Sequence, residues 1–225
     1  KCYYWLYYGS WEQTDFRRAL EFARLSAQEA AEARAPEQEA RAFEALFSLL
    51  LDIGDLDGAR QALERALELT APEDRARRSR LLVNEGLVRM DEGRPALARQ
   101  AYARALELTD GSEGRRFLRS VHLNIVEADL AVRDLDGAER HLKEAWTHAE
   151  PDGSMRTVLL AFDGQVLAAR GRSAAAAGAL RTALGQQPVA EWAWQIEYHA
   201  GSVAEAGGDL LSAERHYERA IGVVE

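Results

Sequence analysis

Apolar side chains recur along the chain three and four residues apart, which is the spacing of an amphipathic helix. The clearest case is residues 37–70, where two such stripes are separated by a glycine. The first stripe is Phe43, Leu46, Phe47, Leu50 and Leu51, and the second is Ala59, Leu63, Ala66 and Leu67. Between them, Gly54 suits the end of one helix and Asp55 suits the N-cap of the next. The pattern predicts two antiparallel helices joined by a short turn.

The same pair of stripes returns six times, marked by an alanine in the second helix. These anchor alanines, 37 to 40 residues apart, are Ala19, Ala59, Ala98, Ala138, Ala176 and Ala213. Four residues later stand Ala23, Leu63, Tyr102, Leu142, Leu180 and Tyr217. Seven residues after the anchors stand Ser26, Ala66, Ala105, Ala145, Ala183 and Ala220. A period in this range is the signature of stacked repeat units that share one continuous core.

Turn residues divide the chain at corresponding places in each period. Inside a period, a glycine precedes the second helix in four units, whereas Arg133 and Thr14 stand at that place in the others. Between periods the helical pattern is interrupted by Pro72, Pro151 and Pro188. We therefore expect a single repeat array over residues 1–225, with approximate units 1–35, 36–71, 72–110, 111–150, 151–187 and 188–225.

These columns resemble the tetratricopeptide repeat family. The resemblance rests on the anchor alanine, the Tyr or Leu four residues later, the alanine three beyond that, and the preceding Gly-Asp or Gly-Arg turn. Twelve residues before their anchors, Gly86, Gly164 and Gly201 match the small residue that the family uses where two helices cross. The departures are a period longer than the family's about 34 residues and the replacement of the crossing glycine by Tyr7, Phe47 and Val126.

The resemblance implies an all-α fold, a right-handed α-solenoid of six antiparallel helix pairs. The long period is similar to that of repeat segments in larger bacterial regulatory proteins, and Glu214–Ile221 resembles repeats that precede caspase-like protease domains. We therefore expect the chain to be a fragment of a longer protein. Apolar residues near both ends, in Cys2–Tyr8 and Ile221–Val224, agree with missing neighbours or with end-to-end self-association.

Charge and composition narrow the range of partners. The net charge of −9 opposes the basic surface that phosphate backbones need, so we expect no direct nucleic-acid partner. The longest stretch without a charged residue, Cys2–Trp11, is too short to span a bilayer, so we expect no membrane partner. The single cysteine, Cys2, fits a reducing compartment, and we expect a cytoplasmic protein.

The sequence holds no recognisable catalytic motif. The histidines have no zinc-ligand spacing, the glycines form no phosphate-binding loop, and no serine stands in a G-x-S-x-G turn. We therefore expect a protein that is not an enzyme and that holds no cofactor or metal ion.

The leading helix of each pair lines a concave surface in the resembled family, and this places a candidate groove. Asn84 and Asn124, fourteen residues before their anchors, offer amide groups that match a peptide unit. Arg80 resembles half of the family's carboxylate clamp, but Val158 and Phe162 stand where the clamp needs basic residues. We expect a groove for an amphipathic peptide, lined by Arg80, Asn84, Leu87, Leu123, Asn124, Glu127, Phe162 and Tyr198. Alternatively, each asparagine is an ordinary surface or inter-helix hydrogen bonder.

A second candidate surface is basic. Arginines at the starts of two consecutive leading helices predict a positive edge that attracts an acidic partner. They are Arg75, Arg78, Arg115, Arg116 and Arg119. The alternative is local ion pairing with Glu73, Asp74 and Glu113.

Together these patterns favour a non-catalytic scaffold that binds a protein or peptide segment, in trans or from its own parent chain. Two alternatives remain open. One is a regulatory or sensory repeat segment of a larger bacterial enzyme, such as a caspase-like protease. The other is the ligand-sensing arm of a transcription regulator.

Overall fold

The computed structural model describes residues 15–109, 114–149, 154–186, 188 and 190–224, and every regular element in these ranges is an α-helix. The first five helices are α1 (Phe16–Glu32), α2 (Pro36–Asp52), α3 (Leu56–Leu69), α4 (Arg75–Asp91) and α5 (Pro95–Leu108). The next six are α6 (Arg115–Ala131), α7 (Leu135–Thr147), α8 (Ser154–Ala169), α9 (Ser173–Gly185), α10 (Ala190–Ala206) and α11 (Leu210–Val224). The predicted all-α fold of helix pairs is confirmed, and the predicted first leading helix lies outside the described residues.

Aspartate side chains begin five of the described helices. Asp15, Asp55, Asp74, Asp134 and Asp209 each accept a hydrogen bond from the backbone N–H three residues later, at 2.9 to 3.2 Å between N and Oδ1. Each bond satisfies a donor that has no partner within the helix. These caps fix the starts of α1, α3, α4, α7 and α11.

The turn inside each pair needs one residue in the left-handed conformation. Gly54 provides it between α2 and α3, with a φ of +78°. Arg133 takes the same place between α6 and α7 with a φ of +62°, although a side chain makes this conformation costly by about 1–2 kcal/mol. The turn geometry is therefore kept where the glycine is missing, at a cost in stability.

The chain divides into two compact units, Lys1–Glu113 and Gly114–Glu225. In the first unit α2 pairs with α3 and α4 with α5, while α1 packs on α2 and α3 on α4. Their shared core includes Ala19, Phe47 and Val88. The trailing helix α3 thus contacts both its own leading helix, α2, and the helix that follows, α4.

The second unit holds the pairs α6/α7, α8/α9 and α10/α11. Here α7 packs on α8 and α9 on α10, and the leading helices also contact one another, α6 with α8 and α8 with α10. The leading helices of this unit therefore lie side by side and form one face.

The anchor alanines lie in the tightest part of each pair. Ala213 is 3% exposed, and the other five anchors have no exposed surface. The crossing glycines face the side chains that stand four residues after the anchors on the other helix of the pair. At Gly86 the ring of Tyr102 occupies the space of a Cβ, and at Gly164 and Gly201 an added Cβ would lie 2.6 and 2.7 Å from the facing helix. Glycine therefore lets the two backbones approach at these crossings.

Larger residues replace the crossing glycine in two of the described pairs, and both are buried. Phe47 is 2% exposed and shares a core cluster with Leu63, while Val126 is fully buried and shares one with Leu142. The two largest facing side chains, Tyr102 and Tyr217, both stand opposite a glycine. The largest facing side chains thus stand opposite the smallest crossing residue.

Candidate functional site

In the first unit the candidate groove residues lie on α4. Asn84 is half-buried, and within the described part of the chain its side-chain amide has no hydrogen-bond partner. Arg80, one turn earlier, is exposed, and Leu87, one turn later, is half-buried. At this spacing the three side chains share one face of the helix. This face therefore combines a cation, an amide and an apolar side chain.

In the second unit Asn124 and Glu127 lie on α6. The amide of Asn124 is half-buried and has no hydrogen-bond partner among the described residues. Glu127 is exposed to water, yet the protein around it desolvates the carboxyl and raises its pKa above the usual range. Tyr198 on α10 is 52% exposed and packs edge-on against the ring of His199.

Two of the expected groove residues belong to the core. Leu123 is 7% exposed and Phe162 is 3% exposed, and both lie in one apolar cluster with Val126, Leu142 and Val158. The expectation that Leu123 and Phe162 line an open groove is therefore wrong. An apolar side chain at the border of the leading-helix face turns into the neighbouring core, because burial there removes it from water.

The predicted basic edge is largely engaged in helix capping in the first unit. Arg75 donates from Nη2 to the carbonyl oxygen of Glu107 near the end of α5, at 2.9 Å. Arg78 donates from Nη1 to the carbonyl oxygen of Thr70, the C-cap of α3, at 3.3 Å. Both guanidinium groups satisfy carbonyls that have no partner within their helix and stabilise the negative end of the helix dipole.

In the second unit only part of the predicted basic edge is exposed. Arg115 and Arg116 are exposed, but Arg119 is only 2% exposed and donates from Nη1 to the carbonyl oxygen of His148, the C-cap of α7, at 3.2 Å. The expectation that Arg119 is part of an exposed positive surface is therefore wrong. Of the acids named as alternative partners, Asp74 lies 3.6 Å from the buried Arg77, and Glu113 lies outside the described residues.

Arg119 is one of three buried polar residues that share a register, nineteen residues before their anchors. Ser79 donates to the carbonyl oxygen of Ala105 at 2.9 Å, and Thr157 donates to Oε1 of Gln186 at 3.2 Å. Each of the three ties the start of a leading helix to the end of its trailing helix. The constant spacing from the anchors identifies these three positions. Ser, Arg and Thr nevertheless have no common chemical property that would single them out in the sequence.

Three histidines that are distant in sequence meet between α6 and α7. The Nδ1 atoms of His122 and His141 lie 3.0 Å apart, and the rings of His122 and His148 are stacked with centroids 5.9 Å apart. Burial and the neighbouring His141 and His148 lower the pKa of His122 to about 4. Among the described residues, no group of three or more His, Cys, Asp or Glu side chains is arranged to hold a metal ion.

Two clefts of the same register open between a trailing helix and the next leading helix, one in each unit. The cleft between α7 and α8 has a volume of about 290 Å³, and the cleft between α3 and α4 has about 100 Å³. Leu142 and Val166 line the first, and Leu63 and Val88 occupy the same positions in the second. Sequence inspection did not predict either cleft.

An ion pair bridges the two helices at each cleft, with opposite polarity. Arg60 on α3 pairs with Glu92 at the end of α4, with 3.9 Å between Nε and Oε1. Glu139 on α7 pairs with Arg170 at the end of α8, with 3.0 Å between Oε1 and Nε. The same connection between consecutive pairs is thus made with the charges exchanged.

Solved structures with this arrangement of helices are repeat proteins. YrrB, described as a TPR protein with an unusual peptide-binding site, is 18% identical, with 88% of this chain and 92% of YrrB covered at a TM-score of 0.55. This chain has the tetratricopeptide-like repeat fold. BtubC from P. vanneervenii is 19% identical, with 92% of this chain and 90% of that chain covered at a TM-score of 0.70.

A further match is the apo form of RapI, 14% identical, with 98% of this chain covered at a TM-score of 0.83. The match covers 62% of RapI, so this chain spans less than two thirds of that protein. No protein-family model and no curated protein matches the sequence. Within the described residues, no helix is both long and apolar enough to cross a membrane.

The tetratricopeptide-like repeats of this chain are longer than the family's usual unit of about 34 residues. The leading helix α2 has 17 residues and its trailing helix α3 has 14. In the second unit α6 has 17 residues and α7 has 13. The leading helices, which carry the candidate groove residues, are thus three to four residues longer than their trailing helices.

Proposed function

We propose that this chain is a non-catalytic scaffold that binds a peptide or protein segment on the faces of its leading helices. The observation that carries the proposal is the placement of Asn84 and Asn124. Their half-buried amides have no partner among the described residues and share one register, fourteen residues before the anchors. A side-chain amide offers one acceptor and two donors, which match the C=O and N–H groups of an extended peptide.

The neighbouring side chains support the same type of ligand. In the first unit Arg80 and Leu87 flank Asn84 on α4, and in the second unit Glu127 lies three residues after Asn124 on α6. Tyr198 on α10 adds an exposed aromatic ring, a side chain that anchors many interfaces. The fold shared with YrrB, a protein described by its peptide-binding site, is a further support. The proposal applies to each unit separately.

The test begins with linear peptides selected from a displayed random library against the wild-type chain. Replacing Asn84 or Asn124 with Ala removes hydrogen bonds that form only on binding. We expect the variant of the unit that holds the peptide to bind it about 5- to 150-fold more weakly, corresponding to about 1–3 kcal/mol. Isothermal titration calorimetry measures the affinities. Melting curves should be unchanged, because the two amides make no hydrogen bond to the described residues of the free chain.

Matched controls are Glu68→Ala and Glu107→Ala, which change exposed residues on the trailing helices α3 and α5. We expect these variants to bind the selected peptide with the affinity of the wild type. If both asparagine variants retain full affinity, the leading-helix faces do not bind the peptide. If they lose stability instead of affinity, the asparagines are structural.

A further inference from the structure

The cleft between α7 and α8 contains a half-buried acid, Asp163. Its other lining residues include Leu142, Trp146, Val166 and Leu167. Glu139, which also lines the cleft, is already paired with Arg170. The cleft thus combines apolar side chains with the carboxyl of Asp163.

Asp163 is held in place by Trp146. The indole Nε1–H of Trp146 lies 3.2 Å from both carboxyl oxygens of Asp163. Burial raises the pKa of Asp163, and the hydrogen bond from Trp146 opposes that shift. A carboxylate has about four acceptor positions, so a single indole donor leaves room for further donors.

The equivalent cleft in the first unit shows what fits beside such an acid. Glu85 on α4 has the register of Asp163, and Arg89 has the register of Leu167, four residues later in both helices. Arg89 places its guanidinium near Glu85, with 3.8 Å between Nη2 and Oε1, while its Nη1 donates to Oε2 of Glu92 at 2.9 Å. This cleft has about 100 Å³, against about 290 Å³ where leucine replaces arginine. In the second unit Arg156 lies over the ring of Trp146, 5.8 Å from its centroid, and does not line the cleft. The first unit thus places an arginine in the cleft beside its acid, whereas leucine stands at that position in the second unit.

We propose that the cleft between α7 and α8 binds the arginine side chain of a partner polypeptide. The aliphatic stem lies between Leu142 and Val166, and the guanidinium bonds to the carboxylate of Asp163. A planar guanidinium with several N–H donors suits a carboxylate that is fixed from one side. The net charge of −9 favours the approach of a cationic segment. This site is separate from Asn84 and Asn124 and goes beyond the function proposed above.

Other positions make the assignment specific. Where α1 packs on α2 and α9 packs on α10, Leu46 and Ala200 stand at the register of Asp163, so neither contact carries an acid at that position. Lys143 also lines the α7/α8 cleft, and this residue is exposed, as expected for a lysine whose ammonium stays in water.

The test uses N-acetyl-argininamide and its neutral isostere N-acetyl-citrullinamide as probes. The readout is the indole N–H signal of Trp146 in nitrogen-15 NMR spectra, assigned with the Trp146→Phe variant. We expect a saturable shift with the arginine probe, with a Kd in the millimolar range typical of a ligand of this size, and no saturable shift with the citrulline probe. Asp163→Asn should weaken binding at least about 5-fold, and Leu167→Arg should abolish it by filling the cleft as Arg89 does.

The matched control is Glu218→Gln, which removes an exposed acid on α11 outside the cleft and should leave the Kd unchanged. Equal shifts with both probes, no saturable shift, or full binding by Leu167→Arg would overturn the proposal. Melting curves establish that the variants are folded. If Asp163→Asn does not fold, the Leu167→Arg variant decides whether the cleft binds the arginine probe. The result does not depend on whether the asparagine variants lose peptide affinity.

Discussion

The contact between Gly86 and Tyr102 shows how individual residues set the distance between paired helices. A Cβ at position 86 would overlap the ring of Tyr102, and at Gly201 it would lie 2.7 Å from Cε1 of Tyr217. Where the crossing residue is large, as at Phe47, the corresponding residue of the facing helix is Leu63 rather than tyrosine. The effect of a substitution on one helix at a crossing therefore depends on the size of the side chain that faces it on the other helix.

Gly86→Ala should destabilise the protein by about 1–3 kcal/mol, because overpacking at the crossing outweighs the better helix propensity of alanine. The matched control is Gly178→Ala, since a Cβ at this helical position in α9 meets no other atom within 4 Å. We expect the control to gain up to about 1 kcal/mol from helix propensity alone. Urea unfolding followed by circular dichroism measures both. Equal effects of the two substitutions would show that the crossing tolerates a methyl group.

Helices and their connections explain which parts of the fold the sequence predicts. The anchor alanines and the aspartate N-caps act through local periodicity and short-range hydrogen bonds, so α3 and its start at Asp55 follow from the sequence. Ser79, Arg119 and Thr157 instead act across a helix pair, on acceptors 26 to 29 residues away. Their common role is visible only when the two ends of a pair are brought together.

In the candidate site as well, some residues could be placed from the sequence, whereas others depend on how the helices pack. Asn84 and Asn124 lie on partly exposed positions as predicted, because an amide gains by staying near water. Phe162 has the same register as Asn124 but is buried. Register alone does not decide whether a side chain at the border of the leading-helix face turns towards solvent or towards the core. Trp146 and Asp163 were not identified because their meeting requires the packing of α7 on α8.

The histidine cluster between α6 and α7 makes stability depend on pH. The pKa of His122 is about 4 in the folded protein, against 6.5 for an ordinary histidine. Between these values the unfolded chain binds a proton that the folded chain does not, so stability falls as the pH is lowered from about 6.5 to about 4. Protonation of His122 is opposed by burial, His141 and His148 and favoured by Glu144.

Lowering the pH from 7 to 5 should therefore reduce the free energy of unfolding of His122→Asn by about 1–2 kcal/mol less than that of the wild type. This range allows for the partial exposure of the imidazole. Urea unfolding at a series of pH values measures the difference. Wild-type and variant stabilities that fall in parallel would show that His122 titrates alike in the folded and unfolded chains.

At the scale of the whole molecule, stability is distributed along the array. Within each unit, contacts run between consecutive helices, as α3 packs on α2 and α4 and as α8 packs on α7 and α9. In such a quasi-one-dimensional arrangement, a local defect acts mainly on its nearest neighbours.

Gly86→Ala should accordingly lower the hydrogen-exchange protection of α2–α5 more than that of α8–α11. Amide exchange followed by mass spectrometry resolves the two regions, with Gly178→Ala as the control for changes in the second unit. A uniform loss of protection over all described helices would indicate a single cooperative unfolding unit instead.

The exchanged charges at the two clefts bear on how a chain of similar helices avoids assembling in the wrong order. If α3 were to dock on α8, Arg60 would meet Arg170, and if α7 were to dock on α4, Glu139 would meet Glu92. Both incorrect pairings bring like charges together, whereas both native pairings join opposite charges. Glu139 and Arg170 are exposed, and the half-buried Arg60 and Glu92 have 3.9 Å between Nε and Oε1, so both bridges add little to the stability of the finished fold. We expect their larger effect to be on the fidelity of folding, because opposite charges favour the native helix contact over the incorrect one at each cleft.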